Sequence, residues 1–543
     1  MFTYYHCYHP ETWEAQCRLG FVGENSGIRF AQSMFIDKEL KFNELAKKDG
    51  PLYKILKEGK YPFYIDRLQG GTFLEEYPYD QELVDDLCQE NFLGFQMHEW
   101  LSNYSQDIRR VEQANPESWT AEAITEAVLR EHPFPCLFLE SMNAKEMEMY
   151  GAPQTYEEFI VNGRRLLESR LAYTKGRLLT CNAGYMATKM ELERGVKHFM
   201  PEIGAQINNT RIQMAYSRGM AKAYGVTFGT YYEPWANDPF SACCYQRDNR
   251  NEWGLKNDGS FPFETKGENG GSSRSLQNRL HIYSYVVGAS FMAEEWGMCN
   301  TFYDWKSFEV SPYGKIKLDF LEFTRKYPNI GKMLTPIAAV LPQELDTLDE
   351  YLAVNGTHLS RPVQDEALRA KIVHMNEELR KIFCRSHDML GKEHVVRNYI
   401  VPDGVDIVHE DRIPENEYTY LVDLTGNKAF AQTHSNCISA DEVEEKLYEL
   451  LPCRVEGGLH YVINCAHDCY YLTIFNHSGV LRSVEEGERY LPAADRTVEV
   501  VFKNASNVLM KLEGNGTLTL QDGKTLVYVP AGGWFFGKFH KGE

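Results

Sequence analysis

Acidic residues close several of the short apolar runs in this sequence. The clearest case is TFGTYYEPW, where small and aromatic residues lead to Glu233 and then to a proline and a tryptophan. The run PCLFLESMN contains Glu140 at the same kind of place, and ASFMAEEWG contains Glu294 and Glu295. An unpaired carboxylate out of water is costly, so acids at the ends of buried strands indicate a polar pocket rather than a plain core.

Other polar residues stand at similar places, and aromatic residues flank them. An acid beside a tryptophan in a cleft has a raised pKa, which suits it to proton donation. Successive residues of a strand face opposite sides. We therefore expect Glu294 rather than Glu295, and Arg67 rather than Asp66, to line the pocket. The remaining candidates are Glu24, His98, Glu99, Asn182, Tyr185, Glu202, Trp235 and Trp296.

The elements that carry these residues follow a regular order. Over residues 1–335, short apolar runs alternate with amphipathic helical stretches, the pattern of successive βα units. Eight such units predict a (β/α)8 barrel, in which the reactive groups lie at the carboxyl ends of the strands. The runs taken as strands begin at residues 18, 61, 92, 135, 177, 198, 227 and 289.

Two smaller domains are predicted after the barrel. Residues 336–455 combine apolar runs with the helix-like segment DEALRAKIVHMNEELRKIF, which indicates a small α/β domain. Residues 456–543 contain short strands separated by Asn and Gly turns, which indicates a β-sandwich.

The barrel resembles the large clan of glycoside hydrolases that carry an acid/base glutamate after strand four and a nucleophilic glutamate after strand seven. With the strands numbered as above, Glu140 and Glu233 hold those two places. The resemblance implies hydrolysis of a glycosidic bond without a cofactor, with Glu140 as proton donor and Glu233 as nucleophile. Arg67, His98 and Trp296 match residues that the clan carries after strands two, three and eight. We expect these three to bind substrate together with Glu99, Asn182, Tyr185 and Trp235.

The domain order is similar to that of the family 42 β-galactosidases, which have a barrel, a flavodoxin-like domain and a small β-sandwich. This resemblance implies a β-linked, galactoside-like substrate and a possible homo-oligomer formed through the second domain. An alternative within the same chemistry is an inverting enzyme like the family 98 endo-β-galactosidases. Glu140 is then the acid, while Glu233 and Glu294 together activate a water.

Two rival classes use the same barrel differently. A metal-dependent isomerase or lyase would use Glu140, Glu202, Glu233 and Glu294 as oxygen ligands to a divalent ion. The strand ends contain no HxH or HExxH spacing, so we expect no metal site. A non-catalytic carbohydrate-binding protein would keep the aromatic residues and lose the acids, and both principal acids are present.

Composition excludes several kinds of partner. Lys and Arg total 57 against 77 Asp and Glu, a net charge of −20 that opposes binding to nucleic acid and to anionic membranes. No apolar stretch approaches the roughly 20 residues needed to span a bilayer. The 13 cysteines are scattered without a CxxC pair, which favours free thiols over a structural zinc site. We expect a soluble protein, cytoplasmic, or secreted or periplasmic if an export signal has been removed.

Overall fold

A computed structural model describes most of the chain. The described residues are 2–31, 42–66, 69–70, 80–87, 91–132, 137–182, 187–204, 210–233, 273–295, 301–303, 306–343, 363–383, 403–483 and 487–541. In this part of the chain, no helix has both the length and the apolar character that crossing a lipid bilayer requires.

Eight parallel strands form a closed barrel, in which each strand pairs with the next and the eighth pairs with the first. Their short apolar and aromatic sequences suit a sheet that is covered on both faces. The predicted (β/α)8 barrel is therefore confirmed. The strands are β1 Thr3–Cys7, β2 Ser26–Ala31, β3 Phe63–Asp66, β4 Phe92–His98, β5 Leu178–Asn182, β6 His198–Gly204, β7 Thr227–Glu233 and β8 Phe291–Glu294.

Helices connect these strands and form the outer layer. Most begin after a side-chain cap or a proline, as Thr120, Thr155, Ser273 and Ser311 show. The helices are α1 Pro10–Arg18, α2 Phe42–Leu45, α3 Pro51–Gly59, α4 Gln81–Leu87, α5 Trp100–Ala114, α6 Ala121–Glu131, α7 Ala144–Tyr150, α8 Tyr156–Tyr173, α9 Thr188–Glu193, α10 Thr210–Tyr224, α11 Arg274–Val286 and α12 Pro312–Lys326.

Two of the eight predicted strands were wrong, although the count was right. The run from residue 18 is a turn between α1 and β2, and the run from residue 135 supplies only Leu137–Phe138, which pair antiparallel with Gln69–Gly70 outside the barrel. The first two barrel strands are instead β1 and β2. Every strand from β3 to β8 corresponds to a predicted strand. The numbers shift at two places, because the second predicted strand is β3 of the barrel and the third predicted strand is β4.

A β-bulge at Gly94 sets which side chains of β4 face the barrel axis. The pairing of β3 with β4 shifts register between Phe63 and Tyr64, so that Tyr64 lies opposite Gly94. Leu93 packs against the barrel interior before the bulge, whereas Gln96 and His98 face the interior after it. Without the extra residue, strand alternation would turn His98 toward the helices.

Replacing Gly94 by alanine is expected to destabilise the fold by about 3 kcal/mol or more, because its φ of +140° is adopted essentially by glycine alone. A Cβ at this position would also lie 2.9 Å from the backbone of Leu178. Gly176→Ala is the matched control, since Gly176 has a φ of +76° and open space around it. Urea unfolding measures both variants. Equal losses for the two would contradict the close approach at Gly94.

The second domain contains a four-stranded parallel sheet. Its strands are β10 Ile337–Leu341, β11 Val405–His409, β12 Tyr420–Asp423 and β13 Cys437–Ile438, in the spatial order β11-β10-β12-β13. Written as 2-1-3-4, this is the strand order of a flavodoxin-like domain. The helices are α13 Glu366–Phe383, α14 Lys428–Thr433 and α15 Val443–Leu450, with a 3-10 turn at Ala440–Glu442.

The third domain is a β-sandwich of two antiparallel sheets, as predicted. One sheet has five strands, β9 Lys332–Met333, β15 His460–Cys465, β16 Cys469–Phe475, β20 Met510–Gly514 and β23 Trp534–His540. The other has four, β14 Cys453–Glu456, β19 Arg496–Phe502, β21 Thr517–Gln521 and β22 Lys524–Val529. The hairpin β17 Val480–Ser483 and β18 Gly487–Tyr490 and a 3-10 turn at Pro492–Ala494 complete it. We propose domain boundaries near 335 and 455, although β9 belongs to the sandwich sheet.

Buried polar contacts join the barrel to the second domain through α10. The Arg218 Nε donates to Asp406 Oδ1 at 2.8 Å, and Tyr216 Oη lies 2.9 Å from His409 Nε2. Gly219 brings the helix backbone against β11, because a Cβ there would lie 1.9 Å from the carbonyl oxygen of Ile407. The small domain is thus fixed against the barrel's outer layer.

Candidate active site

The interior of the barrel is filled by packed side chains. Aromatic and aliphatic residues at alternate positions along the barrel strands pack together there as one cluster. Any pocket must therefore lie above them, at the carboxyl ends of the strands. The cluster consists of Tyr5, Tyr64, Leu179, Cys181, Met200, Tyr231, Phe291 and Ala293.

Arg29, in the middle of β2, carries a buried positive charge in contact with Tyr231 of this cluster. Its Nε donates to Asp66 Oδ2 at 2.9 Å and its Nη2 donates to Tyr231 Oη at 2.7 Å. Burial opposes the charge, but Tyr231 and Asp66 outweigh it and raise the pKa of Arg29 well above its ordinary value. A fixed cation therefore lies at the barrel axis. Asp66 faces the axis too, contrary to the expectation that its neighbour Arg67 would take that side.

His98, the last residue of β4, lies beside this cation. Its Nε2 is 3.4 Å from Glu202 Oε1, and its Nδ1 is 3.0 Å from Gln96 Nε2. Its ring stands edge-on to that of Tyr231 with centroids 5.3 Å apart. His98 is 2% exposed, so it belongs to the floor of the pocket.

Glu99 follows β4 directly and is held by its backbone. Its N–H donates to Cys181 O at 2.6 Å, and its carbonyl accepts from the backbone N–H of Asn103 at 2.8 Å. It has φ +45° and ψ +41°, a left-handed conformation that is unusual for a residue with a side chain. Such strain occurs at functional sites, where the surrounding structure enforces it. The Glu99 side chain is 32% exposed and thus within reach of a ligand.

Glu233 is the last residue of β7, and its side chain lies outside the described part of the structure. Its backbone position follows Tyr231 by two residues, and Tyr231 faces the barrel axis. In the ring of strands β7 is three places from β4, so Glu233 and Glu99 stand at strand ends on different sides of the barrel mouth.

Glu140 lies in the long connection between β4 and β5, and does not follow a barrel strand. It occupies a turn whose carbonyls, from Leu139 and Ser141, accept from Arg170 of α8, while the N–H of Met142 donates to Asp107 of α5. Its side chain is fully buried. The prediction that Glu140 follows strand four was wrong, because its apolar run belongs to a short ribbon beside the barrel.

Glu294 faces the outer helices rather than the pocket. Its Oε1 accepts from His281 Nε2 at 2.8 Å, and its Oε2 accepts from Lys317 Nζ at 2.6 Å. Burial alone raises the pKa of Glu294, but Lys317 and His281 outweigh it and hold the pKa at about 2. The expectation that Glu294 lines the pocket is therefore corrected. Strand alternation from Phe291 and Ala293 assigns the axial side to Glu295.

Glu294→Gln is expected to lower the free energy of unfolding at pH 7 by about 3–5 kcal/mol, because it leaves the buried Lys317 without a carboxylate. The pKa is lowered from 4.5 to about 2. The wild type should hold this stabilisation above pH 4.5 and lose about 3 kcal/mol as the pH falls toward 2. Urea unfolding across this range tests both effects, with the exposed Glu148→Gln as control. A variant as stable as the wild type at pH 7 would refute the ion-pair role.

Asn182 also lies on the helix-facing side. Its Nδ2 donates to Glu191 Oε1 at 2.5 Å, and the same carboxylate accepts from Trp100 Nε1 at 2.7 Å and Thr180 Oγ1 at 2.6 Å. Burial raises the pKa of Glu191. The amide of Asn182 therefore helps to hold β5 against α5. The sequence had instead predicted that Asn182 contacts substrate.

Four other predicted site residues lie outside the described residues. They are Arg67, Tyr185, Trp235 and Trp296. Sequence reasoning in turn missed three residues that face the barrel axis, Arg29, Gln96 and Cys181. A charged residue within the apolar segment SGIRFA was the available signal for Arg29, because a buried cation needs a partner. Among the described residues, one group has the ligand atoms and spacing to hold a metal ion, namely His98, Cys181 and Glu202.

Comparison with known proteins gives a likeness of fold only. No protein-family model matches the sequence, and no curated protein matches it. A β-galactosidase from the Antarctic haloarchaeon Halorubrum lacusprofundi is 10% identical, with 99% of each chain covered and a TM-score of 0.41. The catalytic module of a family 98 glycoside hydrolase from Streptococcus pneumoniae is 10% identical, with 98% of this chain and 97% of that chain covered and a TM-score of 0.39.

A third solved structure, an exo-carrageenase of family 42 from Bacteroides ovatus, is 8% identical, with 100% of this chain and 82% of that chain covered and a TM-score of 0.40. Likenesses at these values carry no argument about activity. The assignment of a (β/α)8 barrel rests on the observed strand order itself.

Proposed function

We propose that the chain is a glycoside hydrolase in which Glu99 is the acid/base and Glu233 the second catalytic carboxylate. The observation that carries this proposal is the strand numbering. Phe92–His98 is the fourth strand of the closed barrel and Thr227–Glu233 is the seventh. The clan that the sequence resembles carries its two catalytic glutamates after those strands. The rule that first suggested Glu140 therefore selects Glu99 once the strands are counted in the structure.

Accessibility also favours Glu99 over Glu140. A general acid must come within hydrogen-bond distance of the oxygen that it protonates. The Glu99 side chain is 32% exposed at the barrel mouth, whereas the Glu140 side chain is fully enclosed. The fixed left-handed backbone of Glu99 supplies the rigid placement that proton transfer requires.

The proposed reaction begins with proton transfer from Glu99 to the glycosidic oxygen as the bond to the anomeric carbon breaks. Positive charge develops at that carbon and is stabilised by the carboxylate of Glu233, which attacks it or activates a water. Arg29 donates to the hydroxyl of Tyr231, which precedes Glu233 by two residues, and a cation at this place favours the ionised form of a nearby carboxylate. In this scheme Arg29 and Tyr231 support the Glu233 end of the pocket.

The stereochemical course depends on the separation of the two carboxyl groups. A separation of about 5–5.5 Å allows direct attack and retention, and about 6.5–9.5 Å admits a water and gives inversion. In the inverting alternative, Glu295 replaces Glu294 as the partner of Glu233, since the carboxylate of Glu294 is bound to Lys317 and His281. The anomeric form of the first product, followed by NMR, separates the two courses.

The proposed substrate is a β-linked, galactoside-like sugar, which follows from the resemblance of the domain order to family 42. Arg67, Tyr185, Trp235 and Trp296 are proposed to contact it, the tryptophans by stacking on sugar rings. The same resemblance suggests a homo-oligomer formed through the second domain, which light scattering tests.

A panel of aryl glycosides and oligosaccharides tests the proposed function. We expect cleavage of at least one β-glycoside, with activity unchanged by a chelator because neither carboxylate role needs a metal. Activity that disappears in chelator would favour the metal-dependent class. Binding of sugars without any cleavage would favour a non-catalytic carbohydrate-binding protein.

A further inference from the structure

Three side chains with different ligand chemistry meet at the floor of the pocket, directly next to the packed interior of the barrel. His98 ends β4, Cys181 lies on β5 and Glu202 lies on β6, and these strands are consecutive neighbours in the barrel. His98 and Cys181 are direct partners in the pairing of β4 with β5. The ligand atoms of the three residues all lie within 4.8 Å of one another.

The distance between His98 and Glu202 in this cluster fits two ligands of a tetrahedral metal ion. Two ligands bound at about 2.1 Å to a tetrahedral ion are about 3.4 Å apart. His98 Nε2 and Glu202 Oε1 are 3.4 Å apart, which is longer than the roughly 2.7–2.9 Å of a charge-assisted hydrogen bond. An imidazole, a thiolate and a carboxylate are also the three ligand types that zinc accepts.

Gln96 provides a second and independent observation. It is fully buried, and its Oε1 has no hydrogen-bond partner among the described residues, while its Nε2 lies 3.0 Å from His98 Nδ1. Turning the amide by 180° makes Oε1 the acceptor of the His98 Nδ1 proton. The lone pair of His98 is then on Nε2, which faces Glu202. Metal-bound histidines are commonly oriented by an acceptor of this kind on the other ring nitrogen.

The charge around the cluster also favours a cation. Glu202 lies within it, and Glu99 Oε2 is 3.9 Å from His98 Nε2. The nearby cation Arg29 is already paired with Asp66. All three ligand residues are at most 2% exposed, so water does not screen these charges fully.

We propose that His98, Cys181 and Glu202 bind a divalent transition metal of the zinc class, with the fourth position open to the pocket. The site differs from the proposed catalytic pair, since neither Glu99 nor Glu233 is among its ligands. A consequence, which rests on the proposed hydrolase function, is inhibition. Glu99 Oε2 lies 3.9 Å from His98 Nε2, so a bound cation would occupy space that the glycosidic oxygen needs in order to reach the Glu99 carboxyl group.

The test uses the full-length protein, first dialysed against a chelator and then titrated with Co²⁺. We expect about one Co²⁺ per chain and a thiolate-to-cobalt charge-transfer absorption, which Zn²⁺ abolishes by displacement. Cys181→Ser should remove the absorption and weaken Zn²⁺ binding by at least ~10-fold in calorimetry, as Glu202→Gln should also weaken it. Cys17→Ser is the control, because Cys17 is an exposed thiol on α1. Circular dichroism checks that each variant is folded.

The results separate this site from the proposed function. A wild-type protein that takes up no Co²⁺, or a folded Cys181→Ser variant with unchanged Zn²⁺ affinity, would overturn the metal site whatever the activity. If the protein cleaves a glycoside, Zn²⁺ should inhibit the wild type and should inhibit Cys181→Ser at least ~10-fold less. If the protein binds the metal but cleaves no glycoside, the metal site is supported and the proposed hydrolase function is contradicted.

Discussion

Glu233→Gly is expected to lower kcat on a β-glycoside by ~10⁴-fold or more, the scale on which loss of a nucleophile acts in other hydrolases. The physical reason is that the positive charge developing at the anomeric carbon then has no carboxylate to meet it. Initial rates on an aryl β-glycoside measure the loss. Glu24→Gln is the matched control, because Glu24 is an exposed acid before β2 and should leave kcat unchanged.

Sodium azide makes this first prediction sharper. The glycine leaves a space at the end of β7 that a small anion can enter and from which it can attack the sugar carbon. If Glu233 is the nucleophile of a retaining enzyme, azide restores turnover and gives a glycosyl azide of inverted anomeric form. A folded Glu233→Gly variant that keeps a tenth or more of wild-type activity would have lost at most ~1.4 kcal/mol of transition-state stabilisation. Such a result would show that Glu233 is not a catalytic residue.

Glu99→Gln is expected to lower kcat by ~10²–10⁴-fold on substrates whose leaving group is a sugar or an alkyl alcohol, because glutamine cannot donate the proton. A dinitrophenyl leaving group departs without protonation, so the same variant should lose far less activity on a dinitrophenyl glycoside. The basic limb of the pH profile, which reports loss of the acid's proton, should also disappear. Equal losses on both kinds of leaving group would mean that Glu99 is not the acid.

The sequence predicted the fold class because most of the barrel follows general patterns. The amphipathic stretches between the apolar runs form helices such as α6, α8, α10 and α11. The first two strands were missed for a physical reason. β1 is the short, polar and aromatic TYYHC, and β2 has Arg29 at its centre. Asp66 on β3 pairs with Arg29 and so stabilises its charge in the barrel interior. The two residues are distant in sequence, so a local sequence pattern cannot predict this contact.

The candidate site was predicted less well, because it depends on strand number and register. The run PCLFLE is apolar enough for a buried strand, and periodicity cannot distinguish it from the short ribbon that it forms beside the barrel. Alternation correctly separated Glu294 from Glu295, but which of them faces the axis is set by the register of β8 against β7. His98 faces inward only because of the bulge at Gly94.

The central claim, that the acid follows the observed fourth strand, is tested most directly by comparing Glu99→Gln with Glu140→Gln on one unactivated β-linked disaccharide. The two variants make the same chemical change in the two glutamates that compete for the role. We expect kcat to fall by ~10²-fold or more for Glu99→Gln and to stay within about threefold of wild type for Glu140→Gln, with both proteins folded. The reverse order, with Glu140→Gln inactive and Glu99→Gln active, would contradict the account.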